Sequence, residues 1–358
     1  MKLRKISRRD VLKGSAAVAV AAGTFAPSAK VLAQAPPPAA ITPELIKAAQ
    51  KEGRVVWYTS LDLPVAERVA KQFAARYQGI TPRVERTGAE RVFQRIGQEY
   101  GSKIHAVDVV QSSDAAHFIV WKRNGIMLPY VPEDVAKHWP EEHRDPDGQF
   151  ATFRSWLCCI GYNTNMVKAP EAPKSFADLL DPKWAGKMVK AHPGYSGTIM
   201  TATFQITREL GWEYLEKLAK QKVMQVQSSA DPPKKLALGE RAVMADGNEY
   251  NMFQEKEGGR PVEIVYPSEG TPLIIGPNGV MKAAPNPNAA KLFQSYCYTA
   301  ECQQLLIDVG GLRSLHPSTK EKPGRTPFAS IKKWKDDPAG VDKSADMIKK
   351  RYSQLFGV

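Results

Sequence analysis

From Val55 onward, short apolar strands alternate with amphipathic helices, and that alternation constrains this chain more than any other feature. Val55-Val56-Trp57-Tyr58-Thr59 has the length and the β-branched, aromatic content of a buried strand. After it, Val65, Val69, Phe73 and Tyr77 recur four residues apart, which puts them on one face of a helix from Val65 to Tyr77. Arg83-Val84-Glu85-Arg86 reads as a second strand, Glu90 to Tyr100 as a second helix, and Val107 to Val110 as a third strand. Asp114 to Asn124 makes a third helix, closed by Gly125. Such alternation predicts an α/β fold whose mostly parallel sheets are flanked by helices.

The pattern resumes with a strand from Trp156 to Tyr162 and a turn at Asn163-Thr164-Asn165. Strands follow at Met188–Ala191, Val223–Val226, Ala242–Ala245, Val262–Tyr266 and Leu273–Val280. Helices are expected at Thr198–Leu210, Trp212–Gln221, Pro232–Leu238, from Tyr250, at Asn288–Tyr298 and at Glu301–Val309. The tail from Pro317 is rich in Pro and Lys until a last helix, Ala345–Phe356. A chain of 358 residues exceeds what one hydrophobic core serves, so two lobes are expected.

The amino terminus reads as an export signal. Lys2, Arg4, Lys5, Arg8 and Arg9 precede an apolar run from Ser15 to Phe25, too short to span a bilayer. Val31-Leu32-Ala33 fits the small-x-small cleavage rule and places the mature start near Gln34. Ser7-Arg8-Arg9-Asp10-Val11-Leu12-Lys13 resembles the twin-arginine motif, with Val11 where that motif usually has Phe. No Cys lies near the cleavage point, which argues against a lipid anchor. Seven cationic residues against Asp10 give this segment +6 of the formal +13, so the mature protein carries +7. Those charges are scattered and lack the clustering that nucleic acid demands. Pro36-Pro37-Pro38 reads as a stiff, disordered linker over residues 34–41, and Thr42-Pro43 as a helix start. Cys158 and Cys159 are adjacent and point to opposite faces of their strand, as free buried thiols; for Cys297 and Cys302 a disulfide stays open.

Ligands of open α/β sheets bind beyond the carboxyl ends of the strands, where helix starts offer free backbone N–H groups. The loops at those positions share Ser, Thr and Asn: Thr59-Ser60, Thr87-Gly88 and Ser112-Ser113-Asp114 in the first half. The second half adds His192 to Thr198, Ser228-Ser229 and Asp246-Gly247-Asn248-Glu249-Tyr250. Each hydroxyl taken alone is accounted for as a helix cap; six such loops on two lobes suit an anion-binding cleft. His192 is the histidine best placed for a site, with a structural role equally open. Enzyme chemistry is thin: the six histidines lack metal-ligand spacing, and no Gly-x-Ser-x-Gly, P-loop or dinucleotide fingerprint is present.

Several stretches carry a resemblance: Val55 to Ser60, Tyr162-Asn163-Thr164, Ser175 to Lys187 with its Pro-Lys-Trp-x-Gly-Lys, Tyr195-Ser196-Gly197-Thr198, and Glu301 to Leu306. From Val55 to about His316 their order resembles the periplasmic solute-binding proteins of ABC importers, in the group that contains ferric-iron receptors. The resemblance implies a two-lobed type II periplasmic-binding-protein fold and no enzymatic activity. It implies a monomer with no cofactor, delivering its ligand to an inner-membrane permease and an ATPase. Residues 42–154 and 268–312 would form lobe 1, residues 155–267 lobe 2, and residues 313–358 a helical tail packed on both.

Ferric receptors offer two adjacent tyrosines after the Asn-containing loop of the second lobe; here Asn248-Glu249-Tyr250 supplies one, with a glutamate. The favoured ligand is therefore a small organic anion of carboxylate, phosphate or phosphonate type. Its contacts would be Ser60, Thr87, Ser112, Ser113, His192, Tyr195, Ser196, Thr198, Asn248, Glu249 and Tyr250. Ferric iron held by Tyr250 and Glu249 with an exogenous anion is the alternative; a secreted enzyme on the same scaffold, or a receptor that only signals, are others. Mature protein recovered from the periplasm should begin close to Gln34. Replacing Arg8 and Arg9 together by Lys should block export, measured by fractionation; unchanged export would show that another route is used.

Overall fold

The computed structural model describes residues 35–358, so the signal segment with Arg8, Arg9 and Val31-Leu32-Ala33 lies outside the described residues. Helix α1 (Pro43–Glu52) starts where Thr42 Oγ1 accepts the Leu45 N–H at 3.2 Å and ends at Gly53, whose φ of 72° is the left-handed conformation that favours glycine. Strand β1 (Arg54–Thr59), α2 (Leu63–Arg76), β2 (Thr81–Arg86), α3 (Ala89–Gly101), β3 (Val109–Gln111) and α4 (Ala116–Arg123) follow. β1 lies between β2 and β3 and is parallel to both. β3 starts two residues later than the pattern predicts. The carboxylate of Asp108, not a carbonyl, receives the Val56 N–H there, at 2.8 Å.

After α5 (Glu133–His138), strand β4 (Ala151–Asn163) runs thirteen residues with every position buried. Then come β5 (Met188–Ala191), α6 (Gly197–Leu210), α7 (Trp212–Ala219), β6 (Met224–Val226), α8 (Asp231–Ala237), β7 (Val243–Asn248), α9 (Glu249–Glu257) and β8 (Val262–Val265). Strand β9 (Thr271–Val280), α10 (Pro287–Cys297), α11 (Ala300–Asp308), β10 (Lys333–Trp334) and α12 (Pro338–Phe356) complete the chain. The sheet order is β2-β1-β3-β9-β4-β7-β5-β6, with β10 beside β9 and β8 beside β4.

The first half of β4 pairs antiparallel with β9, from Ala151 opposite Asn278 to Leu157 opposite Leu273. Its second half pairs with β7 and β8. One core gathers Trp57, Phe73, Phe293 and Tyr296 under the first group of strands; another gathers Phe176, Met188, Leu215 and Tyr352 under the second. Cys158 and Cys159 fall into different apolar clusters, as strand alternation requires, and all four cysteines are free and buried.

Three expectations need correction. The segment at 34–41 is docked rather than disordered where it is described: Ala39 donates to the Val131 carbonyl at 2.8 Å and accepts from Glu133, and Ile41 packs on the first core. The prolines before it have no N–H to give, whereas Ala39 has one and uses it. The last helix begins at Pro338, seven residues early, because Asp337 caps the Gly340 N–H at 2.9 Å and Pro338 suits the first turn. β7 continues past Ala245 to Asn248, so Asp246-Gly247-Asn248 is strand and not loop.

α12 touches both strand groups. Arg123–Asp342 and Lys349–Glu90 tie it to the first, at 2.8 and 3.0 Å; Arg351–Glu216 and the Tyr352–Gln225 hydrogen bond tie it to the second, both at 2.8 Å. Asp336, just before it, reaches the surface in part, yet its Oδ2 is buried with no hydrogen-bond partner. Burial pushes this carboxyl up to about 7, against a backbone hydrogen bond at Asp337 and helped by the charge of Asp114. A carboxyl raised in the folded state stabilises the fold while it is protonated, so stability should decline as pH rises from about 4 to about 7. Asp336→Asn should flatten that decline in urea unfolding at pH 5 and pH 8. An unaltered slope would assign the pH dependence to other groups.

Candidate ligand-binding site

Five of the six polar loops meet or adjoin at one pocket of about 170 Å³. Ser60 enters from the end of β1, Gly88 from β2 and Ser113 from β3. Tyr195 and Ser196 enter between β5 and α6, and Ser228 and Ser229 between β6 and α8. The two sets of loops touch closely: a methyl group on Gly197 would lie 2.6 Å from Cβ of Asp114, so the α6 start can approach the β3 loop only as glycine. A second pocket of about 580 Å³ shares Arg86 and Ser228 with the first and adds Asp62, Lys234, Asn251 and Gln254.

Not every expected contact faces this space. Ser60, Ser113 and Ser196 line it, and Tyr195 stands at its rim, 55% exposed. Ser196 also caps α6 through the Ile199 N–H at 3.4 Å. Thr87 contributes its backbone to Thr59 while its neighbours Arg86 and Gly88 form the wall. Thr198 is buried in the first turn of α6. Asn248 lies deeper: its Nδ2 donates to Ser229 Oγ and Tyr250 Oη, both at 3.1 Å, and its Oδ1 accepts the Trp156 indole N–H.

Ser112, His192 and Glu249 are turned away. Ser112 is fully buried; its Oγ accepts the Asp114 N–H at 3.1 Å and lies 3.0 Å from His117 Nδ1. That is a hydroxyl–imidazole pair the sequence spacing does not reveal; the hydroxyl is fully enclosed, and His117 lines a separate pocket of about 190 Å³. His192 accepts the Gly194 N–H at Nδ1, and its Nε2 meets Ser353 of α12 at 3.2 Å, which makes it a packing residue. Glu249 is wholly buried and points to the opposite side of β7. Arg313 Nη2 donates to it at 2.6 Å, the Tyr266 hydroxyl donates as well, and Arg325 lies at 3.5 Å. Asn248 closes β7 and Glu249 opens α9, so the direction of Glu249 is set by its arginine partners and not by strand alternation.

The residue most relevant to ligand chemistry was not among those expected. Arg154 of β4 is 2% exposed, and its guanidinium lies 4.4 Å above the ring of Trp156. Nη2 is 3.4 Å from Ser60 Oγ and 3.5 Å from Gln111 Oε1, both long, and Nε and Nη1 have no hydrogen-bond partner among the described residues. Tyr250 faces this group without forming an aligned hydrogen bond. Burial pushes the Tyr250 phenol well above its usual range and Asp62 adds to this, while Arg154 opposes it. The signal in the sequence was a lone cation inside Ala151-Thr152-Phe153-Arg154-Ser155-Trp156-Leu157, a run otherwise fit for burial.

Asp134, His138 and His316 are the one set of His, Cys, Asp or Glu among the described residues close enough to share a metal ion. His316 Nδ1 accepts the Ser318 N–H at 3.1 Å, however, which leaves the proton on Nε2 and that nitrogen unready as a ligand.

A family model described as bacterial extracellular solute-binding protein matches residues 108–332, and a twin-arginine translocation signal model matches residues 5–25. The chain belongs to the bacterial extracellular solute-binding protein family and is exported to the periplasm. A probable ABC transporter periplasmic-binding protein of Sinorhizobium fredii is 23% identical over 252 residues, 67% of this chain and 69% of that one. An uncharacterized protein of Haemophilus influenzae is 25% identical over 290 residues, 78% and 83% of the two chains.

Among solved structures, the periplasmic binding protein AfuA of Actinobacillus pleuropneumoniae, with exogenous fructose-6-phosphate bound, superposes with a TM-score of 0.78 at 23% identity. It covers 86% of this chain and 99% of its own. Iron-bound HitA of Pseudomonas aeruginosa gives 0.73 at 20% identity, covering 84% and 99%. These likenesses establish the two-lobed type II fold.

Removing Glu249 leaves Arg325 without its carboxylate and Arg313 with only the half-exposed Glu321, at 2.7 Å. Glu249→Ala should therefore cost about 3–5 kcal/mol of stability in denaturant unfolding. A loss of less than about 1 kcal/mol would mean that the buried arginines find other partners.

Proposed function

We propose that the pocket captures a small organic anion of carboxylate, phosphate or phosphonate type and hands it to an inner-membrane permease and an ATPase. The observation that carries this reading is the meeting of serine hydroxyls from both sets of loops, with Arg86 and Arg91 in the wall and the buried guanidinium of Arg154 behind Ser60, its Nη2 3.4 Å from Ser60 Oγ. Hydroxyls and guanidinium N–H groups are donors, and donors that converge on one space favour a ligand rich in anionic oxygen. Glu90 also lines the pocket. Against the effect of burial, His117 and Lys349 hold its carboxyl down at about 2, and its charge is taken up by Lys349 at 3.0 Å. The sugar phosphate in AfuA supports an oxyanion ligand.

Iron-bound HitA supports the other reading, a ferric site at Tyr250. Two features of this chain speak against it: Glu249 is committed to Arg313, and a cation already stands beside the Tyr250 phenol. Mass spectrometry of the solute released from purified protein, with metal analysis of the same sample, separates the two. Ser113 lines the pocket without capping α4, so Ser113→Ala reports on ligand contact. Losing its hydrogen bond to a charged group should weaken binding about tenfold to a hundredfold with little change in thermal stability. A coloured, iron-loaded protein that bleaches in Tyr250→Phe while Ser113→Ala binds normally would reverse the choice of ligand.

A further inference from the structure

Arg154 is an unusual group to find buried directly behind the wall of a cleft, 3.4 Å from the Oγ of Ser60, which lines it. Its side chain is covered from one side by Ser60 and Gln111 and from the other by Trp156 and Tyr250. Tyr250 belongs to α9, beyond the second group of strands, and Ser60 to the loop after β1, in the first. Full burial of the guanidinium therefore requires the two strand groups to be together, as they are in this structure. Trp156 is held in place by its hydrogen bond to Asn248 at 3.2 Å, so the stacked guanidinium has a fixed plane.

No carboxylate among the described residues forms an ion pair with it. Asp62, the acid whose charge it feels, is 3.7 Å from Arg86 and accepts from Asn251 Nδ2 at 3.0 Å. Burial lowers the affinity of the guanidinium for its proton, Asp62 opposes this and Arg86 adds to it, although an arginine stays charged. Elsewhere the chain pairs its buried cations: Lys190 with Asp246, and Arg313 with Glu249. A buried ion without a partner is strongly unfavourable, and water would relieve it if the two groups of strands moved apart.

On the reading of the cleft as an anion site, we propose that Arg154 makes closure conditional on the anion. The empty cleft stays open because closing strips water from an unpaired guanidinium, and a bound anion supplies the missing charge and lets the strand groups close about β4 and β9. The ligand then has differential affinity for the closed form through one identifiable group, which is the thermodynamic requirement for a ligand-driven shift. Neutral solutes of matching shape are rejected because they leave the charge unpaired, which is discrimination by a penalty rather than by an added contact.

Small-angle scattering on the mature protein, stripped of solute, tests this. Arg154→Met and Arg154→Gln remove the charge and keep most of the volume. Both should be more compact than wild type without any added anion, through a closed-to-open ratio raised about tenfold or more. Arg154→Lys keeps the charge and should match wild type when empty. Inorganic phosphate should compact wild type and leave the two neutral variants unchanged. Empty neutral variants with the wild-type radius of gyration overturn the conditional closure and leave the anion reading standing. Neutral variants that bind phosphate with wild-type affinity, or a wild type that phosphate does not compact, overturn the proposal at its root, the reading of this cleft as an anion site. Expansion of Met, Gln and Lys variants alike would show that Arg154 acts only through packing, and would also overturn it.

Discussion

β4 spends its whole length in the interior and satisfies its backbone with different neighbours along the way: β9 first, then β7 and β8. That continuous antiparallel pairing joins two groups of strands whose other neighbours are mostly parallel. A strand with two sets of partners cannot belong to one core alone, and residues on it contact both. Trp156 reaches Asn248 of β7, Ser155 exchanges backbone hydrogen bonds with Arg313, and Arg154 meets Ser60 from β1. The pocket between the loops exists because this strand holds the carboxyl ends of β1, β2 and β3 opposite those of β5 and β6. Loops distant in sequence then face one another without any contact of their own having to be strong.

How much of this was readable beforehand follows from which forces are local. Apolar periodicity is a local property, and the strands at Met188–Ala191 and Val262–Val265 and the helix at Gly197–Leu210 appear where their patterns put them. The convergence of Ser60, Ser113, Tyr195 and Ser196 was also legible, because the loop rule for open α/β sheets depends only on strand direction. Facing direction was harder. Glu249 and Tyr250 are adjacent at the start of α9, and Glu249 turns away because its partners are Arg313 and Arg325, far away in the chain. Ser112 and His192 were taken up by His117 and Ser353, partners that no spacing announces. β10 was invisible because two residues, Lys333 and Trp334, carry no period at all.

Buried charge gives the structure its sharpest internal contrast. Lys190 with Asp246, and Glu249 with Arg313 and Arg325, are ions removed from water together, so each finds its opposite. Such pairs add little net stability compared with apolar packing, but they are costly to break, and they fix the register of β5, β7 and the segment after α11. Arg154 belongs to the same buried population and lacks the same compensation. In a chain whose other buried cations each lie beside a carboxylate, an exception directly behind a polar pocket is what the proposed anionic ligand would account for.

The same contrast bears on iron against an organic anion. Fe(III) is a hard, highly charged ion that needs several anionic oxygen ligands to offset both its own desolvation and the deprotonation of a phenol. Tyr250 is poorly prepared for that: burial already disfavours its phenolate, Glu249 has turned to Arg313, and Asp62 is engaged by Arg86 and Asn251. A guanidinium beside the phenol would stabilise the phenolate while repelling the metal that the phenolate is meant to hold. For the proposed oxyanion the situation is the opposite, since Arg86 and the serine hydroxyls are donors in the wall and Arg154 adds positive charge behind Ser60. On that proposal one set of residues would lower the energy of a bound anion and raise that of a bound cation, and the sign of Arg154 separates the two readings.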